Sequence, residues 1–140
     1  MDSAPFRELS DAECHVLLGR GGLGRVGVSV GALPAIFPVH FVLHADDIVF
    51  RMSSRGLLAS AVANAIVAFE ADEVDHGDAR AWSVLVIGAS EPIVGARELE
   101  AVRGLPLVPW GEADDECFTR ISCECISGRM YELPPLPRAT

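Results

Sequence analysis

Residues 25–52 read RVGVSVGALPAIFPVHFVLHADDIVFRM, and this stretch decides the fold class. Apolar side chains alternate with small or polar ones over residues 25–30, the pattern of a half-buried strand. Residues 31–32, Gly-Ala, fit a two-residue hairpin turn that leads into a second strand over residues 34–43. After another tight turn, a third strand covers residues 48–52. The stretch therefore predicts three antiparallel strands in a meander.

Helices are predicted at the ends and crossovers of this sheet. Ser10 and Glu13 form the two halves of a capping box, so a helix should begin after Ser10 and end near Gly19. The rest of the chain is predicted, in order, as a helix over 53–64, strands over 65–72 and 81–94, a helix over 96–103, a loop over 105–115, and a last strand over 117–126 that turns at Gly128. About six strands with few helices predict an α+β, mainly β, fold built on a small barrel.

Length and charge exclude several classes of protein. The 140 residues fit one domain, predicted over residues 1–133 and followed by a proline-rich, disordered tail over 134–140. The formal net charge is −9 and all 11 basic residues are arginine, a balance that argues against a nucleic-acid partner. No apolar run is long enough to span a membrane, and residues 1–9 lack the apolar core of a signal peptide. We therefore expect a cytoplasmic protein without a membrane partner.

The four cysteines are expected to be reduced thiols rather than a disulfide framework. Cys123 and Cys125 would share one face of the last predicted strand, but metal sites favour a Cys-x-x-Cys turn and no second pair is present. His40 and His44 would share a face of their own strand. Metal or haem ligation by these histidines is the weaker alternative to lining a cofactor or lying at the surface. We predict no metal site.

Residues 50–56, FRMSSRG, are the strongest local signal for a ligand site. A strand ends here, two serines follow, and a helix is expected to begin. The first N–H groups of a helix lack internal partners and carry partial positive charge, so they favour an anion. Ser53 and Ser54 add hydroxyl donors, and Arg51 and Arg55 add guanidinium groups suited to phosphate oxygens. From this segment alone, ordinary capping by serine explains the pattern slightly better than an anion site does.

Five segments taken together resemble one known family. They are residues 38–42 (PVHFV), 50–58 (FRMSSRGLL), 67–73 (VAFEADE), 81–86 (AWSVLV) and 105–110 (LPLVPW). Their order and spacing resemble the pyridoxamine 5'-phosphate oxidase-like family of FMN-binding split barrels, over most of the chain. The resemblance implies a six-stranded antiparallel split β-barrel with flanking helices, and a homodimer that holds FMN at the subunit interface.

The resemblance also implies roles for individual residues. His40 would lie closest to the reactive face of the flavin, as a catalytic donor or proton source. Trp110 would reach the partner subunit's site. The residues implied to lie along the ring are Val39, His40, Phe41 and Val42, and those near the ribityl chain and phosphate are Arg51, Met52, Ser53 and Ser54. The other residues implied to bind the cofactor are Arg55 and Leu58 in the next turn and Trp82, Ser83 and Trp110 from later segments.

Three positions depart from the family pattern. Close relatives carry a lysine at the position of Leu57, a threonine at that of Met52, and asparagine or a similar residue at that of His40. Loss of the lysine removes one charge from the phosphate site. This loss would weaken FMN binding by about 1–3 kcal/mol unless Arg55, in the same turn, replaces it.

Three functions follow from these observations. The leading one is an FMN-dependent oxidoreductase acting on a small-molecule substrate, in which the flavin performs the redox chemistry. The second keeps the fold and uses a deazaflavin in a reductase. The third is a non-catalytic barrel that stores, senses or carries flavin or haem, and Leu57 is its best support. Pyridoxamine 5'-phosphate oxidase activity itself is disfavoured, because the late arginines are scattered.

Overall fold

The computed structural model describes residues 5–108 and 116–134, which form eight strands and three helices. Every strand pairing is antiparallel. Over these two ranges, no helix is both long and apolar enough to cross a membrane. In chain order the elements are β1 Phe6–Glu8, α1 Asp11–Leu18, β2 Gly22–Val30, β3 Leu33–His44, β4 Asp47–Ser53, α2 Leu57–Val62, β5 Ala65–Asp75, β6 Arg80–Pro92, α3 Ala96–Arg103, β7 Glu116–Ile121 and β8 Cys125–Glu132.

The strands close into a barrel. The hydrogen-bonded order β6-β5-β2-β3-β4-β7 returns to β6 through a β6–β7 pairing, so six strands form a closed ring. Beyond the ring, β8 pairs with β6 and β1 pairs with β8. The structure thus confirms the predicted six-stranded antiparallel barrel with flanking helices.

One edge of β6 accounts for the closure. β8 pairs with the first part of this edge, and β7 takes over for the last three residues. Residues 122–124 carry the chain from β7 to β8 directly against Gly88, where a Cβ atom would collide with the carbonyl oxygen of Ser122. The Ser122 N–H donates to the Ala89 carbonyl oxygen at 3.0 Å and fixes this crossing. Gly88 is therefore required by the close approach of two backbones.

Alternate residues of the ring strands face inward and form the main core. Phe41, Phe50 and Phe69 are almost fully buried, and the rings of Phe41 and Phe69 meet edge to face with centroids 4.8 Å apart. Such a pair contributes about 0.5–1.5 kcal/mol beyond its buried area. The predicted buried side of α1, formed by Cys14, Leu17 and Leu18, packs into the same core.

A second, smaller core lies on the outer face of β4 and β7. Val49 and Phe118 from these strands pack with Val102 of α3, with Ile93, and with Leu107 from the segment after α3. This cluster holds residues 105–108 against the barrel wall, which matters for the site described below.

The hairpin turn at residues 31–32 and the capping box at Ser10, both predicted from the sequence, are present. Gly31 and Ala32 have φ angles of 53° and 68°, which a type I′ hairpin turn requires. The Ser10 hydroxyl accepts from the Glu13 N–H at 3.2 Å, and the Glu13 carboxylate accepts from the Ser10 N–H at 3.1 Å. The capping box is therefore confirmed, and α3 has the predicted bounds.

The predicted helix over residues 53–64 is wrong in its extent. β4 continues through Ser53, whose backbone pairs with that of Glu116 in β7, and α2 is shorter and begins after Gly56. Gly56 is the N-cap and no side chain caps the helix. Pairing with β7, a strand far along the chain, extends β4 past the point where local propensity would start a helix. Capping of α2 by Ser53 or Ser54 is therefore also wrong.

The predicted last strand over residues 117–126 is in fact parts of two strands. β7 ends before the crossing at residues 122–124, and β8 then runs straight through Gly128, where a turn was expected. A Cβ on Gly128 would lie 2.7 Å from the Cys14 sulfur, so glycine here makes room for α1. Cys123 lies in the crossing and Cys125 opens β8, so they do not share a strand face. The short, exposed β1 has no periodic pattern and was missed.

We predict that Gly88→Ala destabilises the fold by about 3 kcal/mol or more, because the added methyl group must displace the backbone that closes the barrel. Thermal and denaturant unfolding would measure the effect. Gly104→Ala is the matched control, since its Cβ would meet only the Ala101 carbonyl oxygen at an ordinary 3.8 Å. Equal stability of the two variants would contradict the account of closure given above.

Candidate functional site

The outer faces of β3 and β4 bring His40 and Arg51 together. The two strands pair from Phe41 opposite Phe50 onward, so His40 and Arg51 occupy the next positions along each strand. Both side chains point outward because their neighbours Phe41 and Phe50 point into the core. A period of two thus places an imidazole and a guanidinium side by side on the barrel wall.

This row continues on both sides. Leu23 of β2 lies opposite His40 in the register, and Phe118 of β7 lies opposite Arg51. The Arg51 guanidinium carbon lies 5.8 Å from the centre of the Phe118 ring, within range of a cation–π contact. The site therefore presents Leu23 of β2, the imidazole of His40 on β3 and the guanidinium of Arg51 on β4 side by side across three strands.

The segment after α3 forms one wall of the site. The Val108 N–H donates to Nδ1 of His40 at 2.9 Å. Nη1 of Arg51 donates to the Leu107 carbonyl oxygen at 3.2 Å. The sequence analysis named only Trp110 from the segment 105–110 as a site residue and missed Leu107 and Val108, because they lie 56 and 68 positions from their partners and contribute main-chain groups that residue type does not reveal.

Ser53, Ser54 and Arg55 lie at the end of β4 next to Arg51. The Ser53 hydroxyl accepts from the Arg55 N–H at 3.3 Å, and the Gly56 N–H donates to the Ser53 carbonyl oxygen at 3.4 Å. Ser53 thus organises a turn rather than a helix start. Leu57, where the sequence resemblance implies a lysine, follows in the first turn of α2 and is 57% exposed.

Several residues that the resemblance places at the cofactor face the core instead. Val39, Phe41, Met52 and Trp82 are buried among core side chains, and Leu58 packs against the same cluster. They can therefore reach a ligand on the outer wall only through their main chains. Trp110 lies outside the described residues, so its predicted role stays a prediction.

Val42 and Ser83 do face outward, at different places. Val42 packs against the second core, directly beside the row of His40. Ser83 is on β6, three strands from β3 in the ring, or about 14 Å at the usual strand spacing. A single chain therefore does not bring Ser83 and His40 together.

The other histidines and the cysteines lie apart from the row of His40 and Arg51. Among the residues that the structure describes, no three His, Cys, Asp or Glu side chains converge as metal ligands. Burial, and then the negative charge of Asp47, raise the pKa of Cys123 to about 11, so its thiol stays protonated at neutral pH. His44 lies opposite Asp47 at the far end of the β3–β4 pairing.

The same outer wall carries an apolar face, defined by Ile36, Ile66, Ala68, Leu85 and Ile87 on β3, β5 and β6. Ile36, Ala68 and Ile87 lie in one row, with Gly27 of β2 between the first two. Ile36 is 72% exposed and Ile66 is 69% exposed. A contiguous apolar surface on a barrel wall is typical of an interaction site.

A small charged cluster borders the apolar face. Arg25 of β2 contacts Glu70 at 3.3 Å and Asp72 at 3.5 Å, both on β5. Burial, together with the neighbouring Asp72 carboxylate, outweighs Arg25 and raises the pKa of Glu70 to about 7. Glu70 therefore changes charge near neutral pH at the edge of this surface.

Comparison with known proteins places this fold in a family. The family model of pyridoxamine 5'-phosphate oxidase matches residues 10–130. The chain belongs to the pyridoxamine 5'-phosphate oxidase family. Its Mycobacterium tuberculosis relative Rv0080 is 30% identical over 126 residues, which cover 86% of this chain and 82% of the relative.

Solved structures of the same fold include two with clear sequence similarity. A Corynebacterium glutamicum structure is 33% identical with a TM-score of 0.81, covering 96% of this chain and 98% of the other. The FAD-binding protein of Mycobacterium smegmatis is 31% identical with a TM-score of 0.80, covering 91% of this chain and all (100%) of the other. The barrel of this family member therefore matches that of flavin-binding split-barrel proteins.

We predict a pH-dependent stability effect of Glu70→Gln. The folded-state pKa of about 7 lies above the ordinary 4.5, so the folded protein holds a proton that the unfolded chain releases. Holding this proton stabilises the folded state relative to its stability at high pH. The contribution is complete below the pKa of the unfolded chain, 4.5, and is lost as pH rises through the folded-state pKa of about 7. Glutamine does not titrate, so only the parent loses this stabilisation. The melting temperature of Glu70→Gln minus that of the parent should therefore increase between about pH 5 and about pH 8.

Asp72→Asn provides the control for this experiment. This substitution removes the negative neighbour of Glu70 but leaves Glu70 buried, so the pKa of Glu70 should stay raised by a smaller amount. The change of melting temperature with pH that Glu70 causes should therefore be smaller in Asp72→Asn than in the parent, but still present. A melting-temperature difference between Glu70→Gln and the parent that is flat with pH would contradict the raised pKa.

Proposed function

We propose that this protein is a flavin-dependent oxidoreductase, with the flavin nucleotide bound on the outer wall of β3 and β4. The observation that carries this proposal is the juxtaposition of His40 and Arg51 on adjacent strands, next to the polar turn at Ser53. The similarity to the FAD-binding protein of Mycobacterium smegmatis supports it. When bound, the flavin would supply two-electron transfer to or from a small-molecule substrate.

The residues at the end of β4 fit the phosphate part of such a ligand. Arg51 contributes a guanidinium fork, and Ser53 and Ser54 contribute hydroxyl donors from consecutive positions. Arg51 is partly buried, and Arg55, one residue after Ser54, adds a second cation that is exposed. Charged and hydroxyl donors of this kind match phosphate oxygens, whereas the neighbouring apolar wall offers phosphate no hydrogen-bond donor.

The row along β2 and β3 fits the ring part of the ligand. Leu23 is half exposed and lies beside His40, so an apolar surface adjoins a polar ring edge. A flavin ring needs both, since its benzenoid part is apolar and its pyrimidine part accepts and donates hydrogen bonds. We propose that His40 donates to the bound ring or provides a proton to the substrate.

The form of the flavin is proposed to be FAD rather than the FMN implied by the sequence resemblance. The M. smegmatis relative binds FAD. Leu57 also leaves the phosphate site with one cation fewer than the family pattern provides, so additional contacts to an adenylate group would offset the missing charge.

A homodimer completes the proposal. The apolar face lies on the same wall as His40, and one outward-facing row, Pro38 of β3 beside Arg25 of β2, separates the two. A second copy packed there would bury Ile36 and Ile66, and Ser83 of the partner could reach the site that its own chain leaves distant. Arg25 and Glu70 lie at the border of the apolar face. In a symmetric dimer, Arg25 of one chain would face Glu70 of the other, so the charges at the border are complementary.

The first test is the absorption spectrum of the purified protein, with mass spectrometry of any released small molecule. We expect flavin absorbance or its appearance on titration, with a lower Kd for FAD than for FMN or a deazaflavin. Turnover with an electron donor and acceptor then separates an oxidoreductase from a protein that only stores or senses flavin. A colourless protein that binds none of the three cofactors would refute the proposal.

We predict that Leu57→Lys tightens flavin-nucleotide binding by about tenfold, because it restores one charge–phosphate contact at an exposed position. Leu57→Gln is the matched control, being polar but uncharged. Fluorescence titration of both variants measures the difference. Equal affinity of the two variants would place the phosphate away from the first turn of α2.

We predict that Ile36→Glu converts the protein to a monomer and lowers the bound flavin per chain. The side chain is 72% exposed in a single chain, so the substitution should leave folding stability nearly unchanged. Sedimentation velocity checks the oligomeric state. Val94→Glu, at an equally exposed apolar residue (77%) outside the apolar face, should remain dimeric. A dimeric Ile36→Glu protein would move the interface elsewhere.

A further inference from the structure

A single peptide group touches both principal side chains of the site. The carbonyl of Leu107 and the N–H of Val108 belong to the same peptide unit. Its N–H donates to His40 Nδ1 at 2.9 Å, and its oxygen accepts from Arg51 Nη1 at 3.2 Å. The unit therefore stands as a bridge between the imidazole and the guanidinium.

The direction of the first hydrogen bond determines the state of the imidazole. A nitrogen that accepts from an N–H carries no proton, so the Val108 bond selects the neutral form of His40 with its hydrogen on Nε2. The second bond reinforces the first, because a cation donating to the peptide oxygen polarises the unit and strengthens its N–H as a donor. The two contacts are thus cooperative rather than independent.

The peptide unit is anchored from the other side. The Leu107 side chain is buried in the second core with Val102 and Phe118. The Leu107 N–H also donates to the Leu105 carbonyl oxygen at 2.8 Å, which tightens the backbone just before the bridge. Rotating the peptide would expose Leu107 or break these bonds, so the bridge is held in one orientation.

We infer that the Leu107–Val108 peptide group is the positioning element of the site: it fixes His40 as the Nε2–H tautomer and aligns it with Arg51. The site then presents one neutral N–H donor beside one cation. A ligand with a hydrogen-bond acceptor next to an anionic group matches that pair. This inference rests on the proposed function only for the identity of the ligand, since the tautomer is a property of the chain itself.

The first experiment determines the tautomer in the flavin-free protein. Nitrogen NMR of the ¹⁵N-labelled imidazoles should show His40 protonated on Nε2, with its signal assigned by loss in His40→Gln. His15 is an internal reference of opposite sense, because its Nδ1 lies 2.8 Å from the Asp11 carbonyl oxygen and must carry the hydrogen there. His40 found with its hydrogen on Nδ1, or as an equal mixture of tautomers, would overturn the inference.

Removal of the donor tests the bridge directly. Val108→Pro lacks the N–H, so the Nε2–H preference of His40 should disappear and the Kd for FAD should rise by about tenfold. Val108→Ala keeps the amide and should keep the tautomer. A Val108→Pro protein with an unchanged tautomer and an unchanged Kd would show that the segment only anchors the loop.

Variants at His40 keep the inference testable if Val108→Pro fails to fold. Glutamine can accept from the Val108 N–H with its oxygen and donate with its nitrogen, so His40→Gln should retain FAD affinity within about threefold. His40→Leu should lose about tenfold. Equal affinity of these two variants would refute the positioning role. Absence of FAD, FMN and deazaflavin binding in every protein, with the His40 tautomer as inferred, would instead refute the proposed function alone.

Discussion

The shared edge of β6 is the constraint on which the rest of the structure depends. One edge receives β8 along most of its length and β7 along its last three residues, and the connecting segment crosses at Gly88. Without that crossing β7 could not return to β6 and the sheet would remain open. Closure also places β7 beside β4, which sets the length of β4 and the position of the turn that follows it.

The position of the site follows from the alternation of inward-facing and outward-facing side chains along the strands of the closed sheet. Phe41 and Phe50 pair across β3 and β4 and face the core, so the next residues, His40 and Arg51, must face outward. A slip of one residue would exchange these two sets, burying a charged group and exposing two aromatic rings. Burial of the aromatic core therefore specifies the register, and the register places the polar groups of the site on the wall.

Local chemistry was sufficient for some elements and not for others. The capping box at Ser10, the hairpin at residues 31–32 and α3 were all predictable, because each depends on residues within a few positions of one another. The helix predicted from Ser53 failed because β7 competes for the same backbone. The turn predicted at Gly128 failed because glycine serves there to admit the Cys14 side chain of α1, a contact that sequence spacing does not reveal.

By itself the sequence determined the barrel class, the alternating strand over residues 25–30, the hairpin turn that follows it, and the family resemblance from which Leu57 departs. These properties rest on periods of two and on short-range turns, which are visible along the chain. Only the tertiary structure decided that His40 and Arg51 face outward and that β4 runs through Ser53. It also decided that Trp82 faces the core and that the Leu107–Val108 peptide joins the two site residues. Those outcomes depend on contacts between segments tens of residues apart, and which of many possible partners a segment meets is settled by closure and packing of the whole barrel.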